Sequence, residues 1–197
     1  MKKTLLFLLL SAFTFGQSLQ DAKTLFEKDP ESYDAKKILD KTLEKDPSNA
    51  EAYYLTAKYY LSKDMYRQVR ENMDKAVALS PDTVDYRWIR ANAVEKDFQK
   101  GIDDLNFMLS KGVATGKVYF LLGKLNYEYA RKLRYEPALK EDYGYSDRNL
   151  ENEKIIAANN AKAKELLTAA KSAFKAYESI TSDSAHVFFT DIARMEK

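Results

Sequence analysis

The stretch AEAYYLTAKYYLSKDMYRQVRENMDKAVALSP at residues 50–81 decides the fold. Small and apolar side chains recur in it at helical spacing, first Tyr53, Ala57 and Tyr60, then Val69, Met73 and Ala76. It therefore reads as two amphipathic helices joined by a short polar turn near Ser62–Asp64, each burying one stripe and showing charge on the other face.

The stretch is also periodic. Pro47 and Pro81 lie 34 residues apart, and so do Leu39 and Met73, Asp40 and Asp74, Lys41 and Lys75, Leu43 and Val77, Tyr54 and Trp88, Ala57 and Ala91, and Tyr60 and Val94. Half of that period, 17 residues, separates the two copies of EKDP at 27–30 and 44–47. One repeat is thus two helices, and EKDP is a stop signal used twice. Proline lacks a backbone donor and drives the residue before it out of helical geometry. Ser32, Ser48 and Asn49, which follow the two stops, are residue types that start helices.

The pattern Tyr53-x2-Thr56-Ala57-x2-Tyr60, then Val69-x3-Met73-x2-Ala76-x4-Pro81, resembles the tetratricopeptide repeat, with Ala57 in place of the family's glycine. The resemblance implies an all-α, right-handed α-solenoid of about four helix pairs, divided as 17–49, 50–83, 84–115 and 116–184, with a capping helix over 185–197. The third pair carries Arg87, Arg90, Ala91 and Val94, then Gly101, Leu105 and Met108, and is two residues short in the turn EKDFQK at 95–100. The fourth opens with Tyr119-x2-Leu122-Gly123, and its second helix returns only at Ala170-x3-Phe174-x2-Tyr177. Between them lies an insertion, 131–165, read as a Tyr-rich loop to about Asn149 and a helical lead-in from about Leu150. The last segment presents Phe188, Ile192 and Met195 on one face.

The first sixteen residues, MKKTLLFLLLSAFTFG, have the layout of a secretory leader: Lys2 and Lys3, an apolar run from Thr4 to Phe15, and Gly16 at the cut. Twelve apolar residues fall short of the roughly 20 that span a bilayer. The expected mature chain starts at Gln17, is periplasmic, makes no stable membrane insertion, and is similar in layout to exported proteins of Bacteroidetes-type bacteria. Without Lys2 and Lys3 the 32 basic residues fall by two to equal the 30 acidic ones, which leaves no electrostatic footprint for nucleic acid. The absence of cysteine excludes disulfides, thiol catalysis, cysteine-bound metal and a lipid-modified cysteine.

Catalytic signals are weak throughout. His186 is the single histidine and lacks the partners a triad needs, so it reads as a surface or cap residue. GVATGK at 112–117 has three residues between its glycines and follows a helix, which fits a helix connection and not a phosphate loop. Asp103 and Asp104 are adjacent and do not converge. No enzyme, cofactor or metal is expected.

The resemblance further implies that the first helices line a groove. On that face stand Tyr54 and Lys58, Trp88 and Asn92, then Phe120, Lys124 and Tyr127, one residue off the packing stripe that holds Tyr53, Tyr60 and Tyr119. Aromatic anchors beside a few polar groups suit a protein or peptide partner. The opposing expectation is that the insertion or the last helices fold back and fill the groove, leaving a structural or self-associating component. A second candidate surface is the insertion loop, with Tyr135, Tyr143 and Tyr145 among Arg131, Arg134 and Arg148, where a glycan or other small ligand is the lesser alternative.

Overall fold

The computed structural model describes residues 19–139 and 146–196; the leader, Tyr143 and Tyr145 lie outside the described residues. The described chain is all-α and divides into two compact units, one ending at Glu95 and the other starting at Lys96. That division falls inside the stretch 84–115. No described helix is long and apolar enough to cross a membrane.

The first unit contains α1 (19–28), α2 (Tyr33–Lys45), α3 (Ala50–Ser62), α4 (Tyr66–Leu79) and α5 (Val84–Asn92). α3 and α5 start 34 residues apart, and α2 and α4 end 34 apart, as the period requires. Both EKDP stops act through the aspartate as well as the proline. Asp29 Oδ1 accepts the Glu31 N–H at 2.9 Å, and Asp46 Oδ1 accepts the Ser48 N–H at 3.1 Å, so each aspartate closes an Asx turn just beyond a helix. The next helix is then capped at once: Ser32 Oγ takes the Ala35 N–H and Asn49 Oδ1 the Ala52 N–H. Two small cores result. Ala22, Ala35, Leu39, Ala52 and Leu55 tie α1, α2 and α3; Ala57, Val69, Met73, Ala76 and Ala93 tie α3, α4 and the end of α5. α5 stops at Asn92, so Val94 lies beyond the helix that its spacing predicts, and Phe98 to Lys100 of the expected turn belong to the following helix.

The second unit contains α6 (Phe98–Ser110), α7 (Gly116–Tyr135), α8 (Ser146–Thr181) and α9 (His186–Met195). GVATGK connects α6 to α7, with Gly112 in the left-handed region at φ 81°. α7 does not end at residue 130, where the insertion is expected to begin. It runs on to Tyr135, because nothing in YEYARKLRY at 127–135 breaks a helix before Pro137. α8 likewise starts at Ser146, four residues ahead of Leu150. Much of the insertion is therefore helix that lengthens α7 and α8.

α7 and α8 pack through a glycine. A Cβ on Gly123 would lie 2.7–2.9 Å from three ring atoms of Phe174, which is itself fully buried. Asn126, buried where the repeat pattern has tyrosine, is satisfied by donating to the Leu122 carbonyl at 2.8 Å. Gly123→Ala is expected to destabilise the protein by about 1–3 kcal/mol, the usual cost of overpacking, despite the better helix propensity of alanine. Chemical denaturation followed by circular dichroism measures it; an unchanged midpoint would contradict the close approach.

Candidate functional site

In the first unit, Glu51, Tyr54 and Lys58 share one face of α3 because they stand at i, i+3 and i+7. The Tyr54 ring stacks on Tyr86 of α5, with centroids 4.9 Å apart and planes 29° from parallel. Both rings lean on the α3–α4 core from outside, which fixes them. Lys58 Nζ stands 5.7 Å from the Tyr54 ring centre, and Lys23 of α1 pairs with Glu51 at 2.5 Å. The result is a half-buried aromatic pair with an acid at one side and an ammonium at the other. Trp88 on α5 is half-buried, and Asn92 is exposed and donates to the Trp88 carbonyl at 2.8 Å. The period pairs Tyr54 with Trp88, yet the ring that meets Tyr54 is Tyr86, which sequence spacing alone does not single out.

In the second unit the corresponding aromatics are engaged within the chain. Phe120 meets Tyr177 at 5.1 Å, Phe188 at 5.8 Å and Phe174 at 6.0 Å, and Tyr127 meets Phe188 edge-on at 5.5 Å. Phe174 and Phe188 stack at 4.4 Å. The α7 face that carries Phe120 and Tyr127 is thus covered by α8 and α9, the folding-back posed as the opposing expectation, while Lys124 remains exposed. Tyr135 is the last residue of α7, 65% exposed, and belongs to a helix end and not to a loop. His186 opens α9, exposed, with Nε2 3.5 Å from Thr190 Oγ1.

Tyr53 and Tyr60, expected in the core, are half-buried and border an open cleft between α2 and α4. The signal for that cleft was available in the polar residues Lys36, Asp40, Asn72 and Lys75, which occupy the inner edges of α2 and α4 at helical spacing.

Burial, followed by the charges of Asp85 and Glu51, raises the Tyr54 phenol above its ordinary value; burial, then Glu51, raises Tyr86. A phenol raised in the folded state contributes stability that is complete below its unfolded pKa of about 10 and is lost as pH rises through the folded value. Stability is accordingly expected to fall above about pH 10 more steeply in the natural protein than in the Tyr54→Phe/Tyr86→Phe double variant. Urea midpoints measured from pH 9 to 12 decide it, and parallel curves would contradict the assignment.

No protein-family model matches the chain, and no curated protein matches it. Solved structures do. One described as the MamA protein aligns at a TM-score of 0.52 and 17% identity over 92% of this chain and 93% of its own. MamA 41-end from Desulfovibrio magneticus RS-1 aligns at 0.52 and 14% identity over 92% and 94%. TTC0263, a thermophilic TPR protein of Thermus thermophilus, aligns at 0.46 and 13% identity over 92% and 98%. The fold is a tetratricopeptide-like helical repeat. At these identities the likeness is one of fold alone.

Proposed function

We propose that this chain is a non-catalytic scaffold of the periplasm that holds another protein through the α3–α5 face of its first unit. The observation that carries the reading is the Tyr54–Tyr86 stack, half-exposed, propped from beneath by the core and flanked by Glu51 and Lys58. Rigid aromatics lose little conformational freedom on binding, and bounding them with opposite charges orients the partner. A tetratricopeptide-like fold suits such a role because it exposes helix faces in series. Lys2, Lys3 and the apolar run to Phe15 support export. Trp88 and Asn92, on the same short helix as Tyr86, extend the candidate face. Phe120 and Tyr127 are assigned to closure of the second unit.

Lys58→Glu tests the reading without touching the core, since Lys58 is exposed. Crosslinked capture from the native envelope with residues 17–197 is expected to retrieve a partner whose recovery falls about tenfold, some 1.4 kcal/mol, in Lys58→Glu and in Trp88→Ala, with helical content unchanged. Retrieval of only the chain itself, unaffected by either change, would replace the scaffold reading with self-assembly.

A further inference from the structure

We infer that the cleft between α2 and α4 is a second binding site, separate from the α3–α5 face, for a neutral polyhydroxylated ligand such as a mono- or disaccharide unit. The cleft holds about 460 Å³, the size of a small-molecule site, and α3 forms its floor with Tyr53, Thr56 and Tyr60.

An internal comparison shows why the cleft is open. Thirty-four residues after Thr56 stands Arg90, and 34 after Asp40 stands Asp74. Arg90 and Asp74 are joined at 3.0 Å, so in the later repeat a guanidinium reaches across to the carboxylate. In the earlier repeat the short Thr56 cannot reach Asp40. Asp40 is held instead by Lys36 of its own helix, at 2.6 and 2.7 Å, and the space between α2 and α4 stays unfilled.

Thr56 is 3% exposed, and its hydroxyl is buried with no hydrogen-bond partner among the described residues. Burying an unpartnered hydroxyl is costly, and valine would occupy the same volume without that cost. Such a departure from local stability is expected at positions kept for function.

Charge and donor chemistry select the ligand class. Lys36 and Asp40 neutralise each other, and Lys75 is balanced by Glu44 across the cleft, so neither an anion nor a cation is favoured. Lys75 lies over the Tyr53 ring at 5.1 Å and Lys36 over Tyr60 at 5.4 Å, which places charge on the aromatic faces and disfavours an apolar guest. Asn72 donates to the Gln68 carbonyl at 2.8 Å, leaving its side-chain oxygen to accept. Acceptors at Asn72 and Glu44 alternating with donors at Thr56 and Lys75 match sugar hydroxyls, each of which both donates and accepts.

The test is a ¹H–¹⁵N NMR titration of residues 17–197 with maltose and with N-acetylglucosamine, beside sodium acetate and an acetylated tripeptide amide. Saturating shifts at Thr56, Asn72 and Lys75 are expected with at least one of the two sugars at millimolar concentration, kept in Thr56→Ser and in Lys58→Glu and lost in Thr56→Val. Thr56→Val is also expected to melt about 2–4 °C higher, because it removes an unpartnered buried hydroxyl. Absence of saturable shifts with both sugars, tighter binding of acetate or the peptide, or a lower melting temperature for Thr56→Val would overturn the proposal.

Discussion

Close approach of paired helices through one small residue is the constraint on which the rest of this molecule depends. With no cysteine in the sequence, packing alone carries the fold. Ala57 lets α4 bring Val69, Met73 and Ala76 against α3, and Gly123 lets the Phe174 ring of α8 lie directly on α7. Each contact has a consequence beyond its own pair. The Ala57 contact builds the core that props Tyr54 and Tyr86 from beneath. The Gly123 contact places Phe174 where it can stack on Phe188, which brings α9 over Phe120 and Tyr127.

The two units therefore use similar first-helix aromatics in opposite ways. On α3 and α5 they are supported and left half-exposed between charges. On α7 they are the floor under a terminal helix, held further by the Lys171–Glu196 pair at 2.6 Å. An aromatic at a given place in the repeat pattern is thus a candidate contact or a structural residue depending on what the later chain does. In the first unit the second helices add a further difference, since Arg90 spans to Asp74 while Thr56 leaves the preceding cleft open.

Helix order and the buried stripes were legible in the sequence because they are local and periodic. Leu39 and Met73 are both fully buried, Ala57 and Ala91 nearly so, and the N-caps at Ser32 and Asn49 stand where the doubled EKDP puts them. The Asx role of Asp29 and Asp46 was hidden behind the adjacent prolines. The extension of α7 to Tyr135 was missed because the repeat pattern, and not the next helix breaker, set the expected boundary. Placement of Phe120, Lys124 and Tyr127 on one face of α7 followed from spacing, but their covering by Phe188 did not: that contact joins segments far apart in the chain and obeys no period. Tyr53 and Tyr60 were read as core for a related reason. A repeat pattern states which face of a helix meets its partner, and an unfilled cleft arises from the neighbouring side chains being short.

The central claim is an accessible α3 face and an α7 face closed by its own chain, and site-specific photocrosslinking in the native envelope compares the two directly. A photoreactive residue replacing Lys58 is expected to form an adduct with another protein, and one replacing Lys124 is expected to form none, or to label only α9. Equal adducts at both positions, or an adduct at Lys124 alone, would contradict the claim.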